Sequence, residues 1–156
     1  MTINISILKE TKEGEKRVAM VPSVAPRLAR LGATLSLQSG AGETATFADS
    51  AYAGATTVAD PKKLVADADI VLAVQSPSAS VIRAMKPGAV LVSFIYGASA
   101  SELMAALQER RVTALAMELI PRISRARRWT RRRARQHSPA TTRRYSVPCT
   151  CRAYCR

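Results

Sequence analysis

Residues Asp60–Ile95 read DPKKLVADADIVLAVQSPSASVIRAMKPGAVLVSFI, and this stretch decides the fold class. Two apolar runs of strand length, Ile70–Val74 and Ala89–Ile95, flank a segment, Ser78–Gly88, with helical character and a Pro-Gly stop. The runs are continuous rather than alternating, which suits strands buried on both faces of a parallel sheet. Upstream, Asp60–Ala68 opens with a capping Asp60 and with Pro61 at the first helical position, where a missing N–H costs nothing. Helix, strand, helix, strand at this spacing is the repeating unit of an α/β domain.

The pattern extends in both directions. Ile3–Leu8, Thr34–Leu37 and Val112–Met117 are further strand candidates. Val21–Gly32 reads as a helix with Pro26 tolerable only near its start and Gly32 as its stop. Ser99–Arg111 offers a Ser-x-x-Glu capping box if Ser99 is the cap and Glu102 the third helical residue. The expected architecture is α/β, a Rossmann-like or flavodoxin-like, mostly parallel sheet with helices on both faces, followed by a disordered basic tail.

Charge divides the chain in two. The total of +13 suggests a binder of nucleic acid or anionic surfaces, but residues 1–125 hold 14 Lys and Arg against 11 Asp and Glu. Residues 126–156 hold ten Arg and no Lys or acid, together with Trp129, His137, Cys149, Cys151 and Cys155. A composition so poor in aliphatic residues buries no face, so residues 127–156 are expected to be disordered and residues 1–126 to form the domain. The opening MTINISILKETKEGEK turns charged too early for a signal peptide, and no apolar run approaches a membrane span. A cytoplasmic location is the expectation.

Several stretches are candidates for chemistry. Ser39–Phe47, SGAGETATF, is Gly-rich after the second strand, but Gly40-Ala41-Gly42 is followed by Glu43, an acid where a phosphate would sit. A strand-exit turn is the reading. Lys16 and Arg17, in the loop Glu10–Pro22, are either an anion clamp or part of a solvated charge run. Arg122 and Ser124 follow the last strand, at the end of a parallel sheet where ligands usually bind. Cys149-x-Cys151-x-x-x-Cys155 lacks the paired C-x-x-C and fourth ligand of a structural zinc site, and His137 stands alone, so no metal is expected.

Beyond the residues themselves, the chain resembles a known family. KETKEGEKRVAMVP, LARLGATLSLQSGAGETATFADSAYAGA, ADIVLAVQSP, MKPGAVLVSF and VTALAMELIPRISRA are similar to the N-terminal domain of the alpha subunit of proton-translocating NAD(P) transhydrogenase, a relative of alanine dehydrogenase. The resemblance covers residues 3–126 and implies a peripheral NAD(H)-binding component that passes hydride to NADP held elsewhere. It also implies a homodimer that associates with the membrane and NADP-binding components. Residue by residue, it assigns contact with NAD to Arg122, Ile123 and Ser124, and puts Arg127 where the family has a Gln. Alanine dehydrogenases carry a Lys near Gln75 and a His near Tyr96 to handle pyruvate, and this chain has neither. An alanine dehydrogenase-like fragment and a basic nucleic-acid-binding module are the alternatives.

The family pattern breaks inside its most specific motif, and the break has the form of a shifted reading frame. Joining the third base of each tail codon to the first two of the next forces Trp129-Thr130 to read GAC, an Asp codon. With permitted synonymous codons, Arg128 through Ser146 reads M-D-A-x-S-S-Q-A-x-L-A-G-Y-x-A-A-V-L, the family's continuation in order. RARRWTRRRARQH, residues 125–137, is therefore expected to be a frameshift product, and the 156 residues a truncated, inactive subunit. Its arginines would still attract nucleic acid nonspecifically and in a salt-dependent way.

Overall fold

The computed structural model describes residues 2–96 and 101–120. Six strands form one sheet: β1 (Ile3–Ile7), β2 (Ala33–Gln38), β3 (Ala55–Val58), β4 (Ile70–Gln75), β5 (Val90–Phe94) and β6 (Thr113–Ala116). Every neighbouring pair is parallel, and the order is β3-β2-β1-β4-β5-β6. This is the doubly wound arrangement, whose topological switch point lies between β1 and β4. Four helices connect the strands: α1 (Ala25–Arg30), α2 (Pro61–Ala66), α3 (Ala79–Arg83) and α4 (Ser101–Glu109).

Local signals place most of these elements. Pro26 sits within the first two positions of α1, and just past the helix end the chain turns at Gly32, whose φ of +82° suits a residue without Cβ. The Asp60 side chain accepts from the Lys62 amide at 3.0 Å, capping α2 as expected, with Pro61 as its first residue. The Ser99 cap expected for α4 lies outside the described residues. The third strand is a correction to the sequence reading. Ala55-Thr-Thr-Val58 is a half-exposed edge strand with too little apolar character to stand out, and pairing with β2 is what makes it a strand.

The sheet separates two cores. Val71, Ala73 and Leu91 pack with Leu64 and Val65 of α2, Ile82 of α3, and Leu103, Ala106 and Leu107 of α4. Ile5, Ile7, Leu35 and Leu37 face the other side, under Ala25 and Leu28 of α1 and the loop residues Met20, Ala41 and Tyr52. The Tyr52 hydroxyl donates to the Met20 carbonyl at 2.9 Å, satisfying the polar end of an otherwise buried ring. Buried Ser6 on β1 likewise donates to the Leu64 carbonyl at 3.0 Å, fastening α2 to the sheet. Helices thus lie on both faces, as the sequence implies.

Candidate functional site

The strands β1, β4 and β5 end together, and their exit loops enclose a cleft of about 440 Å³. Leu8 to Lys12 enter it from β1, Gln38 from β2, Gln75 to Ser78 from β4, and Ile95 and Tyr96 from β5. In open α/β sheets this crevice, outside the carboxyl ends at the switch point, is where ligands bind.

Side chains take the backbone donors at each exit. At β1, the Lys9 amide donates to Gln38 Oε1 at 2.9 Å. At β2, the Gly40 amide donates to both oxygens of Asp49, at 3.2 and 2.9 Å. At β4, where the register with β5 shifts between Leu72 and Gln75, Glu10 accepts from the Val74 and Gln75 amides at 2.5 and 3.0 Å. At β5, Glu118 accepts from the Ile95 and Tyr96 amides at 3.1 and 2.7 Å. Tyr96 is held there at φ 49°, a left-handed conformation uncommon for a bulky residue and frequent at functional sites.

The two glutamates at β4 and β5 differ in their surroundings. Burial raises the Glu10 carboxyl above its ordinary range, more than the two amide bonds lower it. Burial also acts to raise Glu118, but the backbone amides it accepts outweigh that and hold it below the ordinary value. Beside them, Glu15 is nearly buried, its side chain 7% exposed, and binds Arg17 through both oxygens at 2.6 and 2.5 Å. Its Oε2 also accepts from Gln75 Nε2 at 2.8 Å. The Arg17 hydrogen bond is the main cause that lowers the Glu15 carboxyl to about 2. The guanidinium lies 5.9 Å from the Phe94 ring centroid, and Phe94 in turn stacks on Tyr96.

This geometry sorts the sequence candidates. Arg17 is committed to Glu15 rather than standing as an open anion clamp, and Lys16 is exposed. The Gly-rich stretch is a turn: Gly40 has φ +71°, and a short 3-10 helix, Glu43–Ala45, follows it. A Cβ on Gly42 would come within 2.6 Å of the Phe47 carbonyl oxygen, so close packing explains that glycine without a phosphate. Gln75 and Tyr96, singled out for what they are not, share one cleft. Arg122, Ile123, Ser124, His137 and the three cysteines lie outside the described residues. Among the described residues, no cluster of His, Cys, Asp or Glu could hold a metal, and no helix is long and apolar enough to cross a membrane. Glu10 and Glu118 were missed as site residues. Their partners lie 64 and 65, and 23 and 22, positions away, beyond any local pattern.

Comparison with known proteins places this fold. The NAD(P) transhydrogenase subunit alpha of Cereibacter sphaeroides is 38% identical over 128 residues, 81% of this chain and 24% of that protein. The alanine dehydrogenase of Bacillus subtilis is 36% identical over 118 residues, 74% of this chain and 31% of that protein. A solved transhydrogenase from Sinorhizobium meliloti superposes with a TM-score of 0.73 at 33% identity, covering 79% of this chain and 37% of that one. The chain thus spans between 24% and 37% of the length of these relatives. The family model described as alanine dehydrogenase/PNT, N-terminal domain, matches residues 6–131, and the chain belongs to that family.

Proposed function

We propose that these residues are the first α/β domain of the NAD(H)-binding alpha subunit of a proton-translocating NAD(P) transhydrogenase. The observation that carries this reading is the pairing of Gln75 and Tyr96 in one cleft. A 2-oxo acid dehydrogenase of this family would present a Lys and a His there, to clamp a carboxylate and to move a proton. The amide of Gln75 cannot supply a charge and is already bonded to Glu15, and Tyr96 stands where that imidazole would be. The transhydrogenase needs neither role, because its substrates are two nicotinamides and hydride passes directly between them.

On this reading Arg122, Ile123 and Ser124 contact the nicotinamide end of NAD, an assignment that rests on the resemblance of PRISRA to the family motif. The homodimer, the NADP-binding partner and the membrane component belong to the same reading. So does a peripheral position on the cytoplasmic face of the membrane. Residues 127–156 contain no Gly-rich dinucleotide loop. The 156 residues alone are therefore inert in hydride transfer, which requires a nicotinamide held in near-attack geometry.

The test begins with the DNA across the codons for Ser124 to Trp129. A gained or lost base there, whose repair opens the family's continuation, supports the reading. The repaired subunit, mixed with the NADP-binding and membrane components, should then reduce an NADP analogue at the expense of NADH. Alanine-dependent NADH formation by the repaired chain would assign it to the dehydrogenases instead. An intact frame, with sequence-specific nucleic-acid affinity that survives raised salt, would make the tail a binding element.

A further inference from the structure

The helix α1 buries one side and leaves the other bare. Ala25 is fully buried, and Val24 and Leu28 pack with it into the core beneath. Arg27, Arg30 and Leu31 stand three and four positions apart, share the outward side and are all exposed. The Leu31 and Gly32 amides donate to the Leu28 and Ala29 carbonyls, both at 3.0 Å, which fixes this last turn. Among the described residues neither guanidinium takes part in an ion pair. Basic residues in a last turn offset the helix dipole, which accounts for the two arginines but not for an apolar side chain held in water beside them. Leu31 is 82% exposed, the most exposed large apolar side chain among the described residues. Ile3, also exposed, pairs with Ala33 at the same N-terminal edge of the sheet. Other exposed apolar side chains have acidic company: Met104 shares α4 with Glu102 and Glu109, and Leu119 follows Glu118.

We propose that Arg27, Arg30 and Leu31, with Ile3 beside them, form a contact surface for an anionic membrane leaflet. Such a leaflet offers negative charge at its headgroups and hydrocarbon just below, which matches unpaired arginines beside an exposed leucine. A nucleic-acid backbone would satisfy the arginines and leave both apolar side chains in water. Near an anionic leaflet each arginine raises partitioning about fivefold, and burying most of Leu31 adds about tenfold. The product, about 250-fold, is too small to hold the chain at a membrane alone. It is enough to orient a chain that partners already hold there. The crevice, at the opposite ends of the strands, then faces away from the leaflet. This deepens the peripheral position given in the proposed function and rests on that reading for the presence of a membrane.

The probe is a bicelle of phosphatidylcholine and phosphatidylglycerol carrying a nitroxide lipid, added to the full 156-residue chain. The arginines of residues 127–156 attract any anionic bicelle. The readout is therefore local: paramagnetic broadening of the Ile3, Leu31 and Gly32 amides, set against Gln75 and Tyr96 at the other end of the strands. The first three should broaden and the last two should not, and bicelles of phosphatidylcholine alone should broaden none. The double variant Arg27→Gln/Arg30→Gln should lower the population of this contact about 25-fold, and Leu31→Ser about tenfold. All three side chains are exposed, so these variants keep the fold. Equal broadening at both ends, no broadening at Leu31, or broadening unchanged in the variants would overturn the proposal. So would a short DNA duplex that shifts the Arg27 and Arg30 amides as far as the bicelle does, since the arginines would then be a general phosphate contact. Frame repair and hydride transfer do not involve α1. A negative result here strikes only the membrane contact, and a negative result there leaves the broadening to be read on its own.

Discussion

Glu10 and Glu118 perform the same geometric task at neighbouring strand exits, and they differ in what surrounds them. Glu10 leaves the end of β1, enters the cleft and is held where burial raises its carboxyl. Glu118 follows β6 and reaches back to β5 from a less enclosed position, and its carboxyl is held below the ordinary range. Two identical side chains, each accepting two successive amides, are thus driven in opposite directions by the balance between desolvation and hydrogen bonding. The exit of β4 is thus closed by an interior contact and the exit of β5 by a more solvated one.

Breaking the two clamps should give unequal losses. Glu10→Ala leaves two partly buried amides without their charged acceptor, and about 3 kcal/mol of stability should go with it. Glu118→Ala should cost about 1–2 kcal/mol, because water can replace more of what is lost. Urea unfolding at pH 7 measures both. Equal losses would show that the difference in burial has no energetic meaning.

Titration separates the carboxylates further. Glu15 has a folded pKa of about 2 against an ordinary 4.5, so its contribution is fully present above pH 4.5 and disappears as pH falls toward 2. Glu10 works with the opposite sign: its raised folded pKa makes ionisation oppose folding, and stability falls as pH rises past 4.5. Glu15→Gln should therefore lower stability most above pH 4.5 and match the unaltered chain near pH 2. Glu10→Gln should steepen the rise of stability above pH 4.5. Unfolding curves across this range check both slopes.

A smaller effect is expected away from the cleft. Ser93 on β5 is fully buried, and its hydroxyl has no hydrogen-bond partner among the described residues. Ser93→Ala should be neutral or stabilise by up to about 1 kcal/mol, since it removes an unsatisfied polar group. A loss of more than that in the same unfolding assay would mean the hydroxyl is satisfied in solution. The smallest change expected is at Arg111, which closes α4 at φ 53°. Arg111→Gly should gain about 0.5 kcal/mol by relieving a left-handed residue.

The sequence shows most of the scaffold and little of the clamp. Continuous runs such as Ile70–Val74, a capping Asp60 and a stop at Gly32 are local signals, and each marks the element found there. Ala55–Val58 is invisible because an edge strand of small and hydroxylated residues needs no apolar run, only a neighbour to pair with. Gln75 and Tyr96 were legible as departures from a family pattern, but their meeting in one cleft follows from strand order. Glu10 sits in a run of mixed charge and Glu118 among apolar neighbours, and neither reveals locally that it accepts from a distant strand exit. That information lies in the parallel topology, which brings the exits together only once the sheet has formed.

Carboxylates occupy the donors at the two strand exits, and amide hydrogen exchange reads that occupancy residue by residue. In the unaltered chain Val74, Gln75, Ile95 and Tyr96 should exchange slowly relative to exposed loop amides. Glu10→Gln should speed only the first two, and Glu118→Gln only the last two. Fast exchange at all four positions in the unaltered chain would mean that the donors are open, and would contradict their capture by Glu10 and Glu118.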